Sequence, residues 1–415
     1  MADVRPLKAV RYNKKSNLSN LVTQPYDKIS PELKEDYKTR DPHNLVNVLL
    51  PEEKEGKTKY QISGETFHQW IDNEILKRDD ESAFYPYRQN FNIFGENHQR
   101  SGFIGLVKVE PYSKKIIFPH EKTLTGPKKD RMALLKEGRV HYGLIFLLYK
   151  DDGKAQKIID EAMQGKIITE FNDDFNVENQ LWQLTDKEKI HSLNNAMADK
   201  QLFIADGHHR YETSLAYAQE NLNDISAQYT MAMFVNINSP LVVLPTHRVV
   251  RGIKNYTPAD LSEKLKKYFD VSVVDGIDAT ITATKSSDEI TIGVFDGEKY
   301  LVAKLKNENA MKESCGNYSE AWRSLDVAVL HTLIIEKCLG ITQDKVAKES
   351  AVSYHRNPKG AVKLVKSGKA NCAFFLKPTS PAQVCEVALN GEVMPQKSTD
   401  FYPKLLSGIT MYSLD

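Results

Sequence analysis

Cysteine is scarce in this sequence of 415 residues: Cys315, Cys338, Cys372 and Cys385 are the four, at gaps of 23, 34 and 13 positions. No two form a CxxC pair, so a zinc ribbon and a thioredoxin-type redox centre are excluded, and so few thiols make no disulfide framework. Long apolar runs are also missing. No stretch of about 18 apolar residues occurs, as a spanning helix would need, and the opening Met1-Ala2-Asp3-Val4-Arg5-Pro6 lacks an apolar signal core. These features predict a cytoplasmic protein with no membrane partner. An excess of either charge is lacking as well, since 56 Lys+Arg against 55 Asp+Glu leave a formal net charge of +1. Stable binding to duplex DNA is therefore not expected, and any anion must be held locally. There are no internal repeats, and neither GxxxxGK[ST] nor HExxH occurs, which removes the P-loop and zincin readings.

What is present suits an ordinary globular protein. The chain is 41% hydrophobic, 9% aromatic and 27% charged, enough apolar surface to exclude disorder as its main state. Its length exceeds what one core usually serves, so two lobes are expected, over 1–240 and 241–415, in a mixed α+β fold. Apolar runs and alternation predict strands over 6–12, 45–50, 84–94, 101–109, 115–118, 143–149, 200–205, 231–236 and 241–244. Helical spacing predicts helices over 60–76, 155–164 and 187–197, and another from Arg210 onward, where Tyr211, Leu215, Ala218 and Leu222 share a face. Beyond 255 the pattern gives helices over 258–269, 325–338 and 359–366, with strands near 271–274, 289–295, 299–305, 372–376 and 383–388.

The most informative stretch is Asp206-Gly207-His208-His209-Arg210, which falls at a strand-to-helix turn. Glycine permits a sharp bend or close ligand approach, free N–H groups at the helix start favour an anion, and Arg210 can fork onto phosphate. The two histidines can exchange protons near neutral pH. The competing use is an aspartate cap with two solvated histidines. A second donor-rich stretch runs from His120-Glu121 to Lys128-Lys129-Asp130-Arg131. Its cations suit a polyphosphate, and Glu121 or Asp130 suits Mg²⁺; a solvated basic loop is the alternative. Asp27, in Pro25-Tyr26-Asp27, reads on its local pattern as a turn or cap aspartate before a carboxylate base. His247-Arg248 follows a strand end, and Lys397-Ser398-Thr399 with Tyr402 and Lys404 offers further donors, each as readily structural as ligand-binding.

In this order, Arg5-Pro6, Pro25-Tyr26-Asp27, Asn44-Leu45, His120-Glu121-Lys122-Thr123, Pro127 to Arg131, Ala205 to Thr213, Leu244 to Arg248 and Met394 to Thr399 resemble the prokaryotic family called domain of unknown function 1015. The likeness spans nearly the whole chain. Within it, Asp206 to Arg210 is similar to the Asp-Gly-His-x-Arg signature of free-serine kinases built on the ParB/sulfiredoxin-like fold. That resemblance implies a ParB/sulfiredoxin-like N-terminal core with large insertions, followed by a second α+β lobe. It further implies phosphate transfer from ATP or ADP, with Mg²⁺, to free L-serine. By the same resemblance Asp27 stands where those enzymes carry a glutamate base, with Asp206, His208 and His209 as its catalytic companions. Gly207, Arg210, His120, Glu121, Lys128, Lys129, Arg131, His247 and Arg248 would then bind the nucleotide's phosphates. A homo-oligomer is compatible with this reading, as are phosphoester hydrolysis and a nucleotide- or nucleic-acid-binding regulatory role.

Overall fold

The computed structural model describes residues 1–13, 17–54, 56–123, 125–347 and 349–415. Two compact units form, one from Met1–Pro119, Thr123–Leu241 and Pro403–Asp415, the other from His120–Lys122 and Val242–Tyr402. Helices and strands mix in both, as an α+β chain requires.

The first unit is built on a mixed nine-stranded sheet. Its spatial order is Ile117–Phe118, Leu202–Asp206, Ile145–Tyr149, Tyr229–Asn236, Glu96–Lys108, Tyr85–Ile93, Glu178–Leu181 and Thr169–Asn172, with Val4–Arg5 paired to Glu96–Lys108. Every residue of Ile145–Tyr149 and Tyr229–Asn236 is buried; such strands are covered on both faces, which is why they read as continuous apolar runs rather than alternating ones. Phe234 of Tyr229–Asn236 stacks on Phe103 of the adjacent Glu96–Lys108 at 4.8 Å. Helices Lys154–Ala162, Lys187–Ala198 and His208–Glu220 supply Ile159, Leu193, Met197 and Tyr211 to the same core.

The second unit holds an antiparallel six-stranded sheet, ordered Phe269–Val274, Tyr300–Leu305, Thr291–Phe295, Cys372–Phe375, His247–Val250 and Val352–His355. Helix Pro358–Lys366 packs Ala361, Val362 and Val365 against Phe295, Ala373 and Phe375. Among the described residues no helix is long and apolar enough to cross a membrane, and all four cysteines are free thiols.

Three expectations need correction. Leu45–Leu50 is not a strand: Val46–Leu49 forms a single helical turn whose Val46, Val48 and Leu49 are all buried. The Asn44 side chain accepts from the Val46 N–H and starts that turn, and so short and mostly buried a run carries no period by which to tell the two apart. The segment near 383–388 is likewise helical, over Pro381–Leu389, because Ser380 and Gln383 close a reciprocal capping box around Pro381. Finally, the chain crosses the expected division at 240 twice. His120–Lys122 joins the second unit, whereas Pro403–Asp415 returns to the first, where Tyr412–Ser413 pairs with Val140–His141.

Candidate functional site

Strand Leu202–Asp206 lies between two neighbours, and its register against Ile145–Tyr149 shifts between Ile204 and Asp206. Such an irregularity re-aims the side chain that follows it. Gly207 then turns the backbone at φ 95°, a left-handed conformation that favours glycine, and the 13-residue helix His208–Glu220 begins. A Cβ on Gly207 would stand 3.0 Å from Arg210 Nε, and one on Gly143 would stand 3.2 Å from Arg210 Nη1. Both glycines therefore make room for one guanidinium. Arg210 Nη2 donates to Asp206 Oδ2 at 2.9 Å, and Nη1 donates to the Leu144 carbonyl. Lys404, from the returning C-terminal segment, reaches Asp206 Oδ1 at 3.4 Å. Burial raises the Asp206 pKa, but Lys404, Arg210, Lys28 and His208 more than offset it, so this carboxylate is held well below its ordinary value.

Asp27, 179 positions earlier, belongs to the same cluster. It sits in the turn Tyr26–Lys28 and accepts from Arg131 Nη2 at 3.1 Å. Partial burial and Asp206 push its pKa up, while Arg210, Arg131 and Lys28 bring it below the ordinary value, so it too is ionised at neutral pH. The Arg131 guanidinium lies 5.1 Å from the Tyr26 ring centroid, and its buried Nε has no hydrogen-bond partner. Beside Arg131 and Arg210 is a cavity of about 60 Å³, lined also by His141, Ser214 and Thr230. Burial pushes the His141 pKa down to about 4, which keeps its ring neutral. The product is a pair of carboxylates among cations at a helix N-terminus, a charge pattern suited to an anion that must be positioned against a proton acceptor.

Other expected residues have different surroundings. Lys128 donates to Glu212 at 2.9 Å, and Glu212 also accepts from Thr123 at 2.6 Å, so the lysine expected to clamp phosphate is already paired. Lys129 is exposed on the same helix, Thr125–Gly138. Asp130, considered above for Mg²⁺, accepts instead from Lys59 at 2.8 Å, Tyr60 at 2.7 Å and the Tyr26 hydroxyl. His208 is buried and His209 half-buried on the first turn of their helix.

His120, Glu121, His247 and Arg248 all belong to the second unit. There His120 Nε2 meets Thr399 Oγ1 at 2.8 Å, and Glu121 Oε1 accepts from the Lys397 N–H at 3.0 Å. Arg248 is 1% exposed and donates to the carbonyls of Thr246, Gln396 and Lys397. Backbone carbonyls thus engage both Nη groups, while the buried Nε has no hydrogen-bond partner. His247 Nδ1 accepts from the Leu376 N–H at 3.4 Å, and burial pushes its pKa down to about 4.

Composition and spacing gave no sign of Arg100. It is 1% exposed in the first unit, donates to Gln89 Oε1 and to the Pro403 carbonyl at 2.7 Å, and leaves Nη1 without a partner. A lone arginine in the polar half of a strand carries no motif, and only the fold brings it beside the residue preceding Lys404.

A family model described as "Protein of unknown function (DUF1015)" matches residues 4–328. No curated protein matches. Similar solved structures include a substituted free serine kinase in complex with ADP, at 14% identity over 73% of this chain and 90% of that one, TM-score 0.38. A conserved hypothetical protein from Pyrococcus furiosus matches at 16% identity over 74% of this chain and 94% of that one, TM-score 0.37. SbnI with a C-terminal truncation, from Staphylococcus aureus, matches at 12% identity over 73% of this chain and 85% of that one, TM-score 0.37.

Proposed function

From the premise that this chain belongs to the DUF1015 family, whose description assigns no activity, we propose a cytoplasmic small-molecule kinase that transfers phosphate from ATP or ADP to a hydroxyl, with free L-serine as the acceptor. The acceptor oxygen attacks the terminal phosphorus, the bond from that phosphorus to the bridging oxygen breaks, and the hydroxyl proton passes to the Asp27 carboxylate. Arg210, Arg131 and the N–H groups after Gly207 face the charge on the transferring group, and Asp206 holds Arg210 and Lys404 in place. Phosphoryl transfer depends on such positioning and charge stabilisation more than on covalent chemistry. The observation that carries this reading is the convergence of Asp27 and Asp206, distant in sequence, on one cluster with Arg131, Arg210 and Lys404. The choice of serine rests on the Asp-Gly-His-x-Arg resemblance.

Among the described residues no group of three or more His, Cys, Asp or Glu side chains is arranged to hold a metal ion. Magnesium would therefore be carried mainly by the phosphates, with Asp27 and Asp206 as the carboxylates at hand; when bound it would supply charge neutralisation between phosphate oxygens. The test is incubation with ATP or ADP, Mg²⁺ and L-serine, followed by product identification. O-phosphoserine is expected, and Asp27→Asn should lower its rate by about 100-fold or more. Release of inorganic phosphate alone would replace the kinase with a phosphoester hydrolase.

A further inference from the structure

A groove of about 790 Å³ lies in the first unit, walled by helices Thr125–Gly138 and His208–Glu220. Its volume is that of a small-ligand pocket. Half-buried Met132, Ala133, Leu215 and Ala216 give it an apolar floor. The lining also carries Lys128, Lys129 and Lys136 against one carboxylate, Glu212. Lys128 is held by Glu212 at 2.9 Å and Lys136 by Glu220 at 2.6 Å, which fixes two of the three ammonium groups, while Lys129 is exposed. An apolar floor beneath a cationic rim suits a ligand with a flat, weakly polar body and an anionic end.

The groove and the cavity of the candidate site share one lining residue, Thr213. Glu212, Thr213 and Ala216 lie three, four and seven positions after His209, the spacing of one helix face. Ala216 follows Gly207 by nine residues, about 14 Å along the axis at 1.5 Å per residue, a span comparable with an extended nucleoside diphosphate. We infer that this groove seats the base and ribose of the phosphate donor, with its phosphates directed to the Gly207 turn. The base lies against Met132, Ala133 and Ala216, and the exposed Lys129 faces the phosphate chain while Lys128 keeps its pair with Glu212. The inference rests on the kinase reading above and adds where the nucleoside binds.

Calorimetric titration of the full chain with ADP and, separately, with pyrophosphate tests it, because pyrophosphate has no nucleoside. Ala216→Trp fills the floor from one wall and Ala133→Trp from the other, and thermal melts establish that each variant is folded. ADP affinity is expected to fall about tenfold or more in a folded variant, while pyrophosphate affinity stays within about twofold. Unchanged ADP binding in both folded variants, or an equal loss for both ligands, overturns the groove as the nucleoside seat and leaves the kinase reading standing. Should one variant not fold, the other decides; should neither fold, Lys136→Glu, at the rim far from the phosphates, must weaken ADP and spare pyrophosphate. A wild-type chain that binds no nucleotide and makes no phosphoserine overturns both readings together.

Discussion

Arg100 shows how a buried cation can serve a site without belonging to its motif. Its guanidinium lies 4.7 Å from the Phe146 ring centroid, and among the described residues no aspartate or glutamate hydrogen-bonds to it. Burial therefore pushes its pKa down, to about 10, although Tyr87 and Asp206 act in the opposite sense. The residue remains charged at neutral pH and ties the Pro403 carbonyl beside Lys404, whose ammonium reaches Asp206. Arg100→Met should leave Gln89 Oε1 and that carbonyl without a donor, at a cost of about 2 to 3 kcal/mol. Urea titration would measure the loss. Arg100→Lys keeps the charge but not the planar fork, so it should recover only part of both stability and phosphoserine formation. Equal stability in Arg100→Met and wild type would show that this network adds nothing.

The turn that joins strand Leu202–Asp206 to helix His208–Glu220 places more of the candidate site than any other connection. Gly207→Ala must carry a Cβ at φ 95° and 3.0 Å from Arg210 Nε. A loss of about 1 to 2 kcal/mol is expected, with phosphoserine formation reduced about tenfold or more as Arg210 shifts from Asp206. Gly126→Ala is the control, since a Cβ there meets nothing within 4 Å; thermal melts should show it no less stable than wild type. Much of this element was legible beforehand. The apolar run at 200–205, the glycine and the period of four from Tyr211 specify strand, bend and helix in turn. Asp27 was legible only as a residue type, because no local pattern reports a contact across 179 positions. Leu45–Leu50 reads as a strand because a short, mostly buried run shows no helical period, and no motif reports that backbone carbonyls engage both Arg248 Nη groups.

Among the described residues, burial holds the pKa of His141, His247, His331 and His355 below the ordinary histidine value. Burial lowers the pKa of His141 to about 4, His247 to about 4 and His331 to about 3. Each folded value lies below the unfolded one, so the unfolded chain binds more protons as pH falls. Stability should be level above about pH 6.5 and decline from there toward about pH 4, each histidine costing about 1 kcal/mol one unit below its ordinary pKa. Melts across that range test the sign; a midpoint that stays constant down to about pH 4.5 would contradict it. Asp27 and Asp206 act at still lower pH in the same direction, because their depressed values make stability that is lost on protonation. The returning segment Pro403–Asp415 bears on a different process. Met411 pairs with Val10, Leu414 with Arg139 and Lys404 with Asp206, so the first unit is closed by residues that a ribosome adds after the entire second unit. During synthesis Val10, Arg139 and Asp206 lack these partners until residues 403–415 have left the exit tunnel.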